Sequence, residues 1–149
     1  MNTKTELPYA KDAKESRRTQ KDSQNFDDDF SHPIIGAAVE VQRVLGVGLL
    51  ESAYMAALAI ELADRGLKFQ REVPVIASYK GRDVGLGYRA DFIVENSVIL
   101  ELKAVDEVAD VHRAQLLSYL RLSGLKLGLL INFNAFPVVR GIHRLVNKL

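Results

Sequence analysis

The chain has no cysteine among its 149 residues, so neither a disulfide framework nor a thiolate metal site is possible. Any metal has to be held by carboxylates, histidines or carbonyls, which favours a hard divalent cation. Charge of one sign is also lacking: 20 Lys+Arg against 19 Asp+Glu leave a formal net charge of +1. There is no general basic field of the kind that marks a nucleic-acid binder, and any such contact must be local. Apolar runs fall far short of the ~20 residues that cross a bilayer, and the opening "MNTKTELPYAKDAKESRRTQ" has no apolar signal-peptide region. A cytoplasmic protein without membrane contact is expected. His32, His112 and His143 have no ligand spacing. No Walker-type phosphate loop and, after residue 30, no repeat or low-complexity stretch is present.

Residues 1 to 30 have very few aliphatics. They carry six Lys/Arg and seven Asp/Glu and end in "NFDDDF", a composition that buries too little to offset the entropy of ordering. A flexible N-terminal tail over 1–30 and one domain over 31–149 are expected. That domain keeps fourteen basic and twelve acidic residues and is still nearly neutral.

What the rest contains is pattern. "SHPIIGAAVEVQRVLG" predicts a helix over 33–45, with Ser31 as N-cap, Pro33 in the first turn and Gly46 as the stop. In "LLESAYMAALAIELADRG", Leu50, Tyr54, Leu58 and Leu62 form an i, i+4 row of a second helix closed by Gly66. The β-branched and aromatic segment from Lys68 to Val105, broken at "KGRD" and "ENS", predicts three antiparallel strands. "HRAQLLSYLRLSG" predicts a helix, "LKLGLLINF" a strand covered on both faces, and "VRGIHRLV" an edge strand. The fold class is an α/β domain with a mixed sheet, roughly α-α-β-β-β-α-β, helices covering the sheet.

Within "YRADFIVENSVILELKAV", residues 88 to 105, three charges interrupt two apolar strands: Asp91, Glu101 and Lys103. If Val94 pairs with Val98 across "ENS", positions summing to 192 are opposite, and Asp91 faces Glu101. Two like charges so placed destabilise a sheet unless something compensates them. Lys103, on the face of Glu101, supplies one charge, and a bridging divalent cation would supply the rest. Two carboxylates holding Mg²⁺ or Mn²⁺ beside a lysine suit phosphodiester hydrolysis. The bland alternative is a surface salt bridge. Downstream, Gln115 and Tyr119 share one helix face at i, i+4, where the alternative is a packed Tyr beside a solvated Gln.

The spacing D-x₉-E-x-K resembles the motif of the PD-(D/E)XK nuclease superfamily, with Arg89-Ala90 standing where a proline is usual. "QLLSY" is similar to the QxxxY motif of RecB-like nucleases, which implies that Gln115 and Tyr119 lie beside the active site and the substrate backbone. "GLLESAY" resembles the GxxExxY signature of a small bacterial and archaeal family in the same superfamily, and collinear likeness extends over about residues 31 to 147. Members commonly have His and Pro where this chain has Gln42 and Val47.

The resemblance implies a PD-(D/E)XK-like mixed sheet with the acids at its opened edge, and a site completed by Glu51 from the second helix. The set is then Glu51, Asp91, Glu101, Lys103, Gln115 and Tyr119, with Glu51, Asp91 and Glu101 as metal ligands. The alternative for Glu51 is an acid favoured by the helix dipole, and for Glu40 on the first helix a solvated face. Lys68, Arg71, Lys80, Arg82, Arg89, Arg113 and Arg121 are available for phosphate contacts. The expected function is Mg²⁺-dependent hydrolysis of nucleic acid, DNA rather than RNA. The rival is a nuclease-fold module with little turnover that binds nucleic acid or protein. The opposed carboxylates favour the enzyme; the near-neutral charge and small size favour the module.

Overall fold

The computed structural model describes residues 29–148. All but the last two residues of the expected tail lie outside this range. Those two belong to the folded domain. Phe30 packs against the core, and Asp29 accepts the Ser31 N–H at 2.9 Å while pairing with Arg144 at 2.6 Å.

The first helix, α1, spans Ser31–Leu45 and so starts two residues before the expected 33. Ser31 is not its cap: Phe30 occupies that place in a left-handed conformation, and the Asp29 carboxylate does the capping chemistry. The Ser31 hydroxyl is buried and, among the described residues, makes no hydrogen bond of good geometry. Gly46 ends α1, its N–H donating to Gln42 O. Helix α2 covers Glu51–Asp64. Of the expected i, i+4 row, Tyr54, Leu58 and Leu62 are fully buried, but Leu50 is the N-cap and is 79% exposed.

Three antiparallel strands follow: β1 (Phe69–Tyr79), β2 (Arg82–Val94) and β3 (Val98–Lys103). Glu95 and Asn96 both take left-handed φ near 51°, and Ser97 N–H closes onto Val94 O at 2.9 Å, which fixes the β2–β3 hairpin. Helix α3 (Asp110–Ser123) then crosses the sheet to β4 (Leu127–Asn132), which runs parallel to β3. A short 3₁₀ turn (Val138–Gly141) leads into β5 (Ile142–Val146). The sheet order is β1-β2-β3-β4-β5, mixed as expected, with β5 as an edge strand.

Both faces are covered. Phe92, Leu100, Leu102, Leu129 and Ile131 pack under α1 and α2, against Ile34, Val41, Tyr54 and Leu58. On the other face Ile99 and Leu130 meet Leu116 and Leu120 of α3. That is why every residue of β4 is buried. Gly128 permits the close seat of α3, since a Cβ there would stand 3.0 Å from the Leu116 side chain.

Candidate active site

The β2–β3 ladder pairs Val94 with Val98, Ile93 with Ile99 and Phe92 with Leu100, the register in which positions sum to 192. It stops there. At the next step Asp91 uses its side chain instead of its backbone: Oδ2 accepts the Leu102 N–H at 2.8 Å, while Asp91 N–H points at Glu101 Oε1 at 3.4 Å. The carboxylates meet where two strands separate. This corrects the expected placement at an opened edge, because β2 and β3 are the second and third of five strands and the opening is internal.

On the β1 side the pairs Arg71–Phe92 and Val73–Ala90 flank the same step, and between them Glu72 is left-handed at φ 50°. Tyr88 and Ala90 pack under α3, whereas Phe92 and Val94 pack under α1 and α2, so strict alternation is lost at Asp91. A regular strand would have hidden this carboxylate in one core or the other.

The electrostatics follow from this enclosure. Burial, then the Asp91 charge, push the Glu101 carboxyl up to about 8. Asp91 is raised by burial too, although the Leu102 N–H favours its charged form. Two acids this close, both raised, titrate as a pair. Among the described residues, no cation ion-pairs with either one. Lys103 is near enough to favour the charged forms of Asp91, Glu101 and Glu51, yet it makes no ion pair. The salt-bridge alternative therefore fails.

Glu51 sits in the first turn of α2, where the helix dipole would lower its pKa. It is raised instead, by burial and then by the Asp91 charge, with Lys103 opposing. Tyr119 stacks on Tyr88 with centroids 3.5 Å apart, and burial and then Glu101 and Asp91 push its phenol up. Gln115 is exposed on α3. The structure thus gathers Asp91 with Glu101, sets Glu51, Lys103 and Tyr119 within electrostatic reach of them, and leaves Gln115 exposed on α3. Glu40 pairs with Arg43 on the solvated face of α1.

Sequence reading missed several residues. Tyr88 supplies the other ring of the stack, its hydroxyl donating to Tyr119 O at 3.3 Å. The Glu72 charge raises Asp91 from β1, and the hairpin register could have indicated it. Asn132, opposite Lys103 on β4, accepts the Val105 N–H at 3.1 Å and donates to Val105 O at 2.8 Å. Gln42, noticed only as a departure, is buried and donates to Phe133 O and Ala135 O at 3.0 and 2.6 Å. Its Oε1 accepts the Val138 N–H at 2.8 Å.

A family model of the PD-(D/E)XK nuclease superfamily matches residues 28–145, most of the chain. The chain belongs to that superfamily. No curated protein and no solved structure matches it. Nucleases of the PD-(D/E)XK superfamily generally work with divalent metal ions. The donor set here fits such an ion: hard carboxylate oxygens, partly buried, opposed and, among the described residues, without an ion-pair partner. Asp91 and Glu101 would hold it, with Glu51 on the helix side. Among the described residues, however, no three acids or histidines are already drawn into a ligand cluster, so Glu51 would have to close on the ion. No helix among the described residues is long and apolar enough to cross a membrane.

Proposed function

We propose that the protein is a Mg²⁺- or Mn²⁺-dependent nuclease of the GxxExxY kind, hydrolysing phosphodiester bonds of DNA. The observation that carries this reading is the Asp91–Glu101 pair, half-buried where two strands separate, with Asp91 N–H 3.4 Å from Glu101 Oε1 and, among the described residues, no ion pair to a cation. A divalent ion bound there would neutralise both carboxylates and polarise a phosphoryl oxygen. Asp91 is oriented for this by the Leu102 N–H. Lys103, on the strand face of Glu101, has a free ammonium to hold a water near the phosphorus and offset the negative charge that develops in hydrolysis. Glu51 approaches from α2. Gln115 and Tyr119 line the route of the substrate backbone, Tyr119 held by its stack on Tyr88.

One observation favours the rival module that binds without turnover: the acids are not gathered into a ready-made cluster of three. The decisive experiment incubates the protein with labelled single- and double-stranded DNA and RNA, with Mg²⁺, with Mn²⁺ and with EDTA. Cleavage of DNA that needs metal and is lost in Lys103→Ala is expected. Equal cleavage by wild type and Lys103→Ala would defeat the mechanism, and binding without cleavage would select the module.

A further inference from the structure

The helix-borne acid has no fixing device of its own. Leu50, the N-cap of α2, is extended and makes no side-chain capping bond, and it is largely solvent-exposed. Glu51 follows directly, so its place relative to Asp91 and Glu101 is set by the core packing of α2 together with what holds residues 46–50. The contacts holding them come from α2 itself and from the loop after β4. Tyr54 OH donates to Gly46 O at 2.8 Å and accepts the Leu49 N–H at 3.2 Å. Asn134 Oδ1 accepts the Gly48 N–H at 3.1 Å, where φ is +93°.

Asn134 is itself tied to the strand that carries the other site residues. Phe133 N–H donates to Lys103 O at 2.9 Å, and Asn134 N–H donates to Asn132 Oδ1 at 3.2 Å. The Phe133 ring stacks on Tyr54 with centroids 4.7 Å apart and planes 4° from parallel. From below, Gln42 anchors the same loop through its bonds at residues 133, 135 and 138. A continuous covalent and hydrogen-bonded path therefore runs from Lys103 through Phe133 and Asn134 to Gly48 and on to Glu51.

We propose that Asn134 is a positioning residue for Glu51: it registers the loop before α2 against the end of β3, so that the helix acid closes on the ion held by Asp91 and Glu101. This rests on the metal-site reading of those three acids. The Asn134–Gly48 bond is exposed, so its loss leaves the core packing intact. Outer groups that orient ligands typically cost ten- to a hundredfold in metal affinity when removed. Asn134 acts through one backbone bond, so about tenfold is expected.

The test is a double-mutant cycle on the full chain, read by calorimetric titration with Mn²⁺ and by melting in EDTA. Asn134→Ala should weaken Mn²⁺ binding about tenfold and melt in EDTA within about 2 °C of wild type. Glu51→Gln should weaken binding as much or more, and adding Asn134→Ala to it should change nothing further. Unchanged affinity in Asn134→Ala while Glu51→Gln weakens would overturn the proposal and leave the metal site standing. An equal loss from Asn134→Ala with and without Glu51→Gln would also overturn it, since the residue would then act on the fold at large. Full affinity in Glu51→Gln would remove Glu51 from the metal site, and the proposal with it.

Discussion

Two polar clusters lie side by side at the ends of β3 and β4, one around Gln42 and Asn132, the other around Asp91 and Glu101. In the first, the side-chain amides of both residues are bonded at every oxygen and nitrogen. In the second, two carboxylates lie in contact with no cation between them, and both hold protons more tightly than free acids do. The amides are buried and the carboxylates only half-buried, yet it is the half-buried pair that is left, among the described residues, without partners of opposite charge in contact. A satisfied network stabilises one conformation. An opposed pair of acids costs stability and persists because it can take up something the folded chain alone does not provide.

Substitution should break this contrast in a graded way. The largest effect is expected from Lys103→Ala, with a loss of roughly a hundred- to a thousandfold in metal-dependent DNA cleavage, as for other groups that stabilise developing charge. Its melting point in EDTA should stay close to wild type, because Lys103 makes no ion pair among the described residues. Single-turnover rates beside thermal melts check both halves. In the other cluster the pattern reverses. Gln42→Ala leaves three backbone groups without partners, so it should cost about 3 kcal/mol in urea unfolding whether or not metal is present.

The third effect is smaller and depends on pH. Glu101 is raised to about 8, while an unfolded glutamate titrates near 4.5. Between these values the folded chain keeps a proton that the unfolded chain has released, so the contribution of Glu101 to stability is complete below about pH 4.5 and is lost as pH climbs through about 8. Unfolding free energy should fall across that window in EDTA. Glu101→Gln should flatten the fall, and Gln42→Ala should leave it unaltered. An equal slope in wild type and Glu101→Gln would mean that the pair carries no such strain. The smallest effect belongs to Gln115→Ala on the exposed side of α3: roughly a fewfold drop in cleavage with an unchanged melt. Unchanged cleavage would remove Gln115 from the substrate path.

The two clusters were also unequally legible. The hairpin register could be read because "ENS" and the period-two pattern are local, and three observed pairs obey it. From that register came the meeting of Asp91 and Glu101. The sheet order could not be read, since β4 arrives beside β3 only after α3 has crossed the sheet. This is why the opening was expected at an edge. Ser31 was misread as a cap because the chemistry came from Asp29, two residues earlier in a segment whose composition suggested a tail. Gln42 escaped because its partners are backbone groups more than 90 residues away, which carry no side-chain signature. Asn132 and Asn134 escaped for the same reason, as backbone partners tens of residues distant leave no pattern in the sequence.

The irregularity of β1 has a separate consequence for solubility. An eleven-residue edge strand offers a row of unpaired backbone groups to any extended chain that drifts past. Here that row is broken three times: by the left-handed Glu72, by Pro74, which has no N–H to give, and by the register shifts on either side of Ile76. A passing strand would find no long stretch of evenly spaced donors and acceptors to zip against. The same kinked backbone that flanks Asp91 therefore also makes β1 a poor template for strand-by-strand aggregation, with exposed Ile76 and Leu86 nearby.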